Sequence, residues 1–289
     1  MKTELRRKRD LGKILDDSFA LYRAHWRTLL AISALIVVPV YLLVYGVGLG
    51  YLWSGYDAGA SGNEVDLGAL ADTFAGLVAQ LFVVTPLVTA MTVHVVRTAA
   101  DGSRAGPAAA LRAGLDVFPK LLVAILLVGL GVFLGLIALI IPGVILAVRW
   151  VVVSQVVVVE GREGTDALRR SFDLTRDRGW HTFLVLFVLN LLVGVLGAVI
   201  LVPLDYAAEQ ADTMALSMVS QILSSTLSLP LVAIAYTLLY YSLVAEKEGA
   251  APADPATPAA PPVTDAQSLP GVPGTFGDGW APPRPPGES

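Results

Sequence analysis

The chain alternates long apolar stretches with short segments in which charged and apolar residues share a helical period. A helix needs about 20 mostly apolar residues to cross roughly 30 Å of hydrocarbon. By that measure six spans are predicted, at 28–53, 73–96, 120–141, 143–159, 180–202 and 214–245. The third and fourth form one apolar run about twice as long as a bilayer requires. The division falls at Pro142-Gly143, a dipeptide of turn chemistry.

Ahead of each odd-numbered span the pattern becomes amphipathic. Within 10–27, Leu11, Ile14, Leu15, Ser18, Phe19, Tyr22 and Trp26 share one helical face. Lys13, Asp16, Asp17, Arg23 and Arg27 take the other, with Asp10 as N-cap. The stretch SFALYRAHW at 18–26 returns as SFDLTRDRGW at 171–180. In this second copy Thr165 or Asp166 caps, Leu168, Ser171 and Phe172 face inward, and Arg169, Arg170, Asp173, Arg176 and Asp177 face outward. A weaker copy, GPAAALRAGLDVFPK at 106–120, has Pro107 in its first turn and Ala108, Leu111, Leu115 and Phe118 as its apolar stripe. Helices of this kind lie in the headgroup plane, their basic residues near lipid phosphates. Trp26 and Trp180 are then interfacial anchors, and Arg23, Arg27, Arg169, Arg170 and Arg176 the cations that meet anionic lipid headgroups. Pro86, Pro142 and Pro230 recur in the even-numbered spans. The expected fold is an all-α integral membrane protein, with an interfacial helix before spans one, three and five and a threefold repeat of helix plus hairpin.

Composition strengthens the membrane reading. Of 289 residues, 55% are hydrophobic and 15% charged, against about 25% charged in soluble domains. Nineteen of the 20 Lys and Arg fall in 1–27, 97–120, 160–178 and 246–289, all on one side of the predicted membrane. The loops 54–72 and 203–213 contain none and carry seven acidic residues, Asp57, Glu64, Asp66, Asp72, Asp205, Glu209 and Asp212. The positive-inside bias places both termini in the cytoplasm, and a composition rich in Arg, Ala, Gly, Val and Pro suggests a bacterial plasma membrane. The polar amino-terminal region is too long for a cleaved signal peptide. Residues 1–248 are expected to form the membrane domain. Residues 249–289, rich in Pro and Ala, are expected to be a disordered cytoplasmic tail whose PPRPP is a candidate docking motif. The basic KTELRRKRD at 2–10 is read as an orientation and lipid-binding segment, with no nucleic-acid partner.

In order, DLGKILDDSFALYRAHWRTLL, IIPGVILAVRW, VVVVEGREGTDALRRSFDLTRDRGWHTF and LLYYSLVAEKEG resemble the membrane domain of the glycerophosphoryl diester phosphodiesterase family and its stand-alone bacterial relatives. The resemblance covers about residues 10–249. In some relatives that domain is joined to a phosphodiesterase barrel with acidic metal ligands and catalytic histidines. The residues after Gly249 resemble no such barrel, so the resemblance implies no hydrolase activity here.

Candidate chemistry is sparse. Arg149 is the one cation inside a span, seven residues after Pro142 and so about 10 Å deep from the outer face. Such a charge is a functional suspect by default. It either snorkels to outer headgroups or bonds a neighbouring carbonyl, or it forms an anion or lipid-headgroup site together with Gln80, Gln155 and Asn190. Glu160 is placed to pair with Arg162 or the basic helix that follows. Gly131 and Gly135 form a GxxxG suited to close helix packing, and Gly46, Gly48 and Gly50 suit it in the first span. His25, His94 and His181 are too scattered for metal ligation. With no cysteine, no nucleophile–base pair and no phosphate loop, neither an enzyme nor a cofactor is expected. Two functions stay open: a non-catalytic scaffold or accessory subunit, with protein partners at its interfacial helices or tail, and a small transporter or lipid- and anion-handling protein centred on Arg149.

Overall fold

The structure, a computed structural model, describes residues 8–46, 74–103, 105–211 and 214–249. Every regular element in these residues is helical. Helix α1 covers Leu11–Tyr41 and runs into a π turn at Leu42–Gly46. Helix α2, Phe74–Ala100, holds a second π turn at Gln80–Val84. Then come α3 (Pro107–Ala138), α4 (Ile140–Arg149), α5 (Val153–Glu160) and α6 (Gly164–Thr175). A 3-10 turn at Arg176–Arg178 leads to α7 (Gly179–Ala211), and α8 covers Met214–Glu248. Among the described residues, six helical stretches are long and apolar enough to cross a membrane, α4 and α5 together supplying one of them. The predicted loop at 203–213 is helical through Ala211, with Pro203 lying inside α7. The loop at 54–72, Gly48, Gly50 and the tail at 250–289 lie outside the described residues.

The α3–α4 hairpin shows how the sequence makes its tightest turn. The break falls at Leu139 (φ −168°, ψ 145°), three residues before the predicted Pro142-Gly143. Pro142 instead occupies the first turn of α4, where a backbone N–H has no intrahelical partner and proline costs nothing. The glycines then let the two helices meet. A Cβ on Gly135 would lie 3.0 Å from Gly143 Cα, and one on Gly143 would lie 2.5 Å from Leu136 Cδ2. One on Gly131 would stand 2.4 Å from the Trp150 ring. The GxxxG is thus a packing surface, as its spacing implied.

Around α8 the bundle closes. It packs against α1, α2, α5, α6 and α7. Ile234, Leu238, Leu239 and Val244 are buried there beside Ile14, Met91, Val95, Val156, Val157 and Leu174. Elsewhere the helices expose large apolar side chains. Phe133, Leu134, Ile137, Leu139, Ile140 and Ile141 are all open around the hairpin, as are Phe187, Leu191 and Val195 on α7. Apolar exposure this extensive and contiguous is a hydrocarbon-facing surface.

The amphipathic segments depart from expectation in three ways. The first is joined to its span through a kink at His25 (φ −121°, ψ 17°). It lies lengthwise along α8, with Arg9 N–H donating to Ser242 Oγ (2.9 Å) and Tyr22 O–H to the Leu227 carbonyl (3.1 Å). These contacts fix its course along α8. The second is no separate helix: α3 continues through Pro119, and its buried stripe is Ala110, Gly114, Leu121 and Ala124. Ala108 and Leu115 of the predicted stripe are exposed, because α2 approaches over small residues, a Cβ on Gly114 falling 3.0 Å from Met91 Cγ. The third is the separate helix α6, which starts after extended Glu163 rather than at Thr165 or Asp166. It buries Ala167, Ser171, Leu174 and Thr175, while Phe172 turns outward. The three units thus share an order of elements but not a common joint.

Candidate functional site

Arg149 closes α4, where Trp150 (φ −103°, ψ 10°) and Val152 (φ −96°, ψ 12°) bend the chain before α5. A bend leaves carbonyls without helical partners. Ser171 Oγ donates to the Arg149 carbonyl at 2.9 Å, and the Thr175 hydroxyl lies 3.1 Å from the same oxygen. In return, Arg149 Nη1 donates to the Thr175 carbonyl at 2.6 Å. That carbonyl belongs to the last turn of α6, where a cation is favoured by unsatisfied C=O groups and by the helix dipole. The guanidinium also stands over the Phe172 ring, 5.3 Å from its centroid, and a Cβ on Gly179 would lie 3.6 Å from it. Arg149 is therefore directed to the α6–α7 corner, where it bonds a neighbouring carbonyl.

The other polar span residues have separate partners. Tyr41 O–H donates to Gln80 Oε1 at 2.9 Å and lies 3.2 Å from Ser225 Oγ. Asn190 Nδ2 donates to the Leu186 carbonyl (2.8 Å) and to Tyr236 OH (3.3 Å). Gln155 is buried, with Oε1 lacking a hydrogen-bond partner among the described residues. No observed contact joins Arg149, Gln80, Gln155 and Asn190 into one chamber. Among the described residues, no group of three His, Asp or Glu side chains is arranged to hold a metal ion.

At the end of the bundle where Lys8 pairs with Glu246 (3.1 Å), charges form a network. Glu160 accepts from Arg162 (2.7 Å), from Arg170 (2.9 and 3.1 Å) and from Tyr240 O–H (2.8 Å). The expected pairing of Glu160 with Arg162 and the basic helix is present. Arg170 also reaches Glu248, Arg178 reaches Glu246, and Lys247 lies 3.5 Å from Asp177. Lys120 pairs with Glu163 at 2.7 Å, and Arg9 with Asp17 at 2.8 Å. An isolated surface pair contributes about 0–1 kcal/mol. Here the carboxylate of Glu160 is shared and its side chain only 17% exposed, so the network fixes α6 more firmly than separate pairs would. Tyr240, Glu246 and Glu248 escaped sequence reasoning. Their one trace was LLYYSLVAEKEG, whose acidic end meets Arg170 and Arg178 from far away in the chain.

Of the predicted interface residues, Arg23, Arg27, Arg169 and Arg176 are exposed, Arg170 is taken up by the network, and Arg27 stands over the Trp26 ring at 5.3 Å. Trp26 and Trp180 are 47% and 76% exposed. A shallow depression lined by Asp16, Phe19, Ala20, Arg23 and Ala24 lies on the outer face of α1.

Neither a curated protein nor a solved structure matches the chain. Residues 106–246 are similar to a family described as a domain of unknown function (DUF7847), a stretch that takes in α3 to α7, nearly all of α8, and the Arg149 corner.

Proposed function

We propose that this multi-pass membrane protein is a non-catalytic scaffold or accessory subunit of a bacterial plasma membrane, with both termini in the cytoplasm. The charge distribution supports that orientation, since Lys and Arg are absent from residues 54–72 and 203–213. One observation carries the functional reading. Arg149, the single span cation, is engaged by the Thr175 carbonyl and the Phe172 ring of the protein itself. A transport site needs polar groups that face a shared cavity, whereas Gln80 and Asn190 are each held by local partners. The resemblance to a membrane domain that occurs joined to enzymes points the same way.

The test is purification of tagged full-length protein in native nanodiscs, with bound proteins and lipids identified by mass spectrometry and Arg149→Ala run in parallel. A stoichiometric protein partner kept by Arg149→Ala supports the scaffold, and its loss on removing residues 249–289 assigns the contact to the tail. A small anion carried by wild type and lost in Arg149→Ala, with no protein partner, sinks the scaffold in favour of anion handling.

A further inference from the structure

The α6–α7 corner holds positive charge that the protein leaves unbalanced. Arg178 is neutralised by Glu246, and Asp177 is taken by Lys247. Arg149 and exposed Arg176 have no carboxylate within ion-pair distance among the described residues. The Arg149 guanidinium reaches Gly179, the first residue of α7, where a Cβ would lie 3.6 Å from it, and Arg176 stands three residues before that glycine. Beside a hydrocarbon-facing surface such charges are weakly screened, so an anion at this corner lowers the free energy.

A second feature says which anion. Trp180, Phe183 and Phe187 stack in a ladder along α7, with ring centroids 5.5 and 6.2 Å apart and planes 25° and 20° apart. Trp180 is 76% exposed and Phe187 55% exposed. From the corner this ladder runs seven residues, about 10 Å of helix, into the apolar belt. The occupant therefore joins a phosphate-sized anion directly to a hydrocarbon chain. We infer that the corner holds an individual anionic glycerophospholipid of the surrounding bilayer, its phosphodiester at Arg176 and an acyl chain along Trp180, Phe183 and Phe187. Arg149 is a positioning residue: it clamps Thr175 and so sets where Arg176 stands. The inference rests on the membrane reading above and on neither choice of function.

The test uses full-length protein in nanodiscs of equal phosphatidylglycerol and phosphatidylcholine, released and counted by native mass spectrometry. Wild type is expected to retain one phosphatidylglycerol in preference to phosphatidylcholine. Arg176→Gln should lower that preference about fivefold, the effect of one cation near a membrane surface. Trp180→Ala should reduce retention of both lipids. Arg97→Gln, which removes an exposed cation at the end of α2, should change nothing. Equal loss in Arg97→Gln and Arg176→Gln would overturn the site in favour of diffuse surface charge, and equal retention of the two lipids by wild type would overturn the anion. Failure of wild type itself to enter nanodiscs would overturn the membrane reading instead.

Discussion

Replacing Arg149 with Met keeps the apolar stem and removes the guanidinium from the α6–α7 corner. Two interactions go with it. One is a charge-assisted hydrogen bond of 2.6 Å to the Thr175 carbonyl, of a kind contributing about 1.5–3 kcal/mol. The other is the stacking over Phe172, about 0.5–2 kcal/mol at a partly desolvated site. Removing a half-buried charge also removes its desolvation cost, which brings the net loss to about 1–3 kcal/mol. A chain of this size shifts by about 2–4 °C per kcal/mol, so the midpoint in mild detergent should drop by about 2–12 °C. A double-mutant cycle with Phe172→Leu should give a coupling of about 0.5–1 kcal/mol, because the ring and the guanidinium touch. Thermal unfolding followed by circular dichroism supplies both numbers. An Arg149→Met midpoint equal to wild type, or strict additivity with Phe172→Leu, would refute the structural account of Arg149.

Two glycines two residues apart should respond with opposite sign. Gly129→Ala meets nothing within 4 Å and should stabilise by about 0.5–1 kcal/mol through helix propensity. Gly131→Ala meets the Trp150 ring at 2.4 Å and should destabilise by about 1–3 kcal/mol; thermal midpoints compare the two directly. Glu160→Gln strips the shared carboxylate from Arg162, Arg170 and Tyr240. It should speed hydrogen exchange of the α6 amides about tenfold, the equivalent of 1.4 kcal/mol. Exchange at the wild-type rate would mean that the network does not hold α6.

Much of this architecture was legible because hydrophobic length is a sufficient signal for a membrane helix. Each of the six predicted segments has a helical counterpart among the described residues. The turn before the fourth was placed three residues late because proline-glycine reads as a corner, whereas Pro142 is the start of a helix and Leu139 makes the corner. The stripe on α3 was misread for a different reason. Periodicity favours large apolar residues as the inner face, but in a close α2–α3 contact Ala110 and Gly114 are inside and Leu115 faces out. Pattern gives a face; it does not say whether protein or lipid covers it. Glu160 was legible because its partners are close in sequence. The surroundings of Arg149 were not, since they depend on a bend at Trp150 and on where α6 docks. The resemblance between the first and third amphipathic copies has a physical counterpart in Ser18 and Ser171, both fully buried. Ser18 bonds its own helix and Ser171 bonds Arg149.

The central position of α8 has a consequence for biogenesis. Arg9 and Ser242, 233 residues apart, share a buried hydrogen bond, so the beginning and end of the bundle meet at one place. A ribosome delivers α1 to α7 before the helix on which α1, α2, α5, α6 and α7 pack. Until Ile234, Leu238 and Leu239 arrive, the parts of α1 and α2 that pack on α8 must be sheltered by lipid or by the insertion machinery. Contacts this distant in sequence close late. Stalled or truncated chains lacking α8 thus present the quality-control proteases of the membrane with an open, unsealed cup instead of a smaller finished bundle.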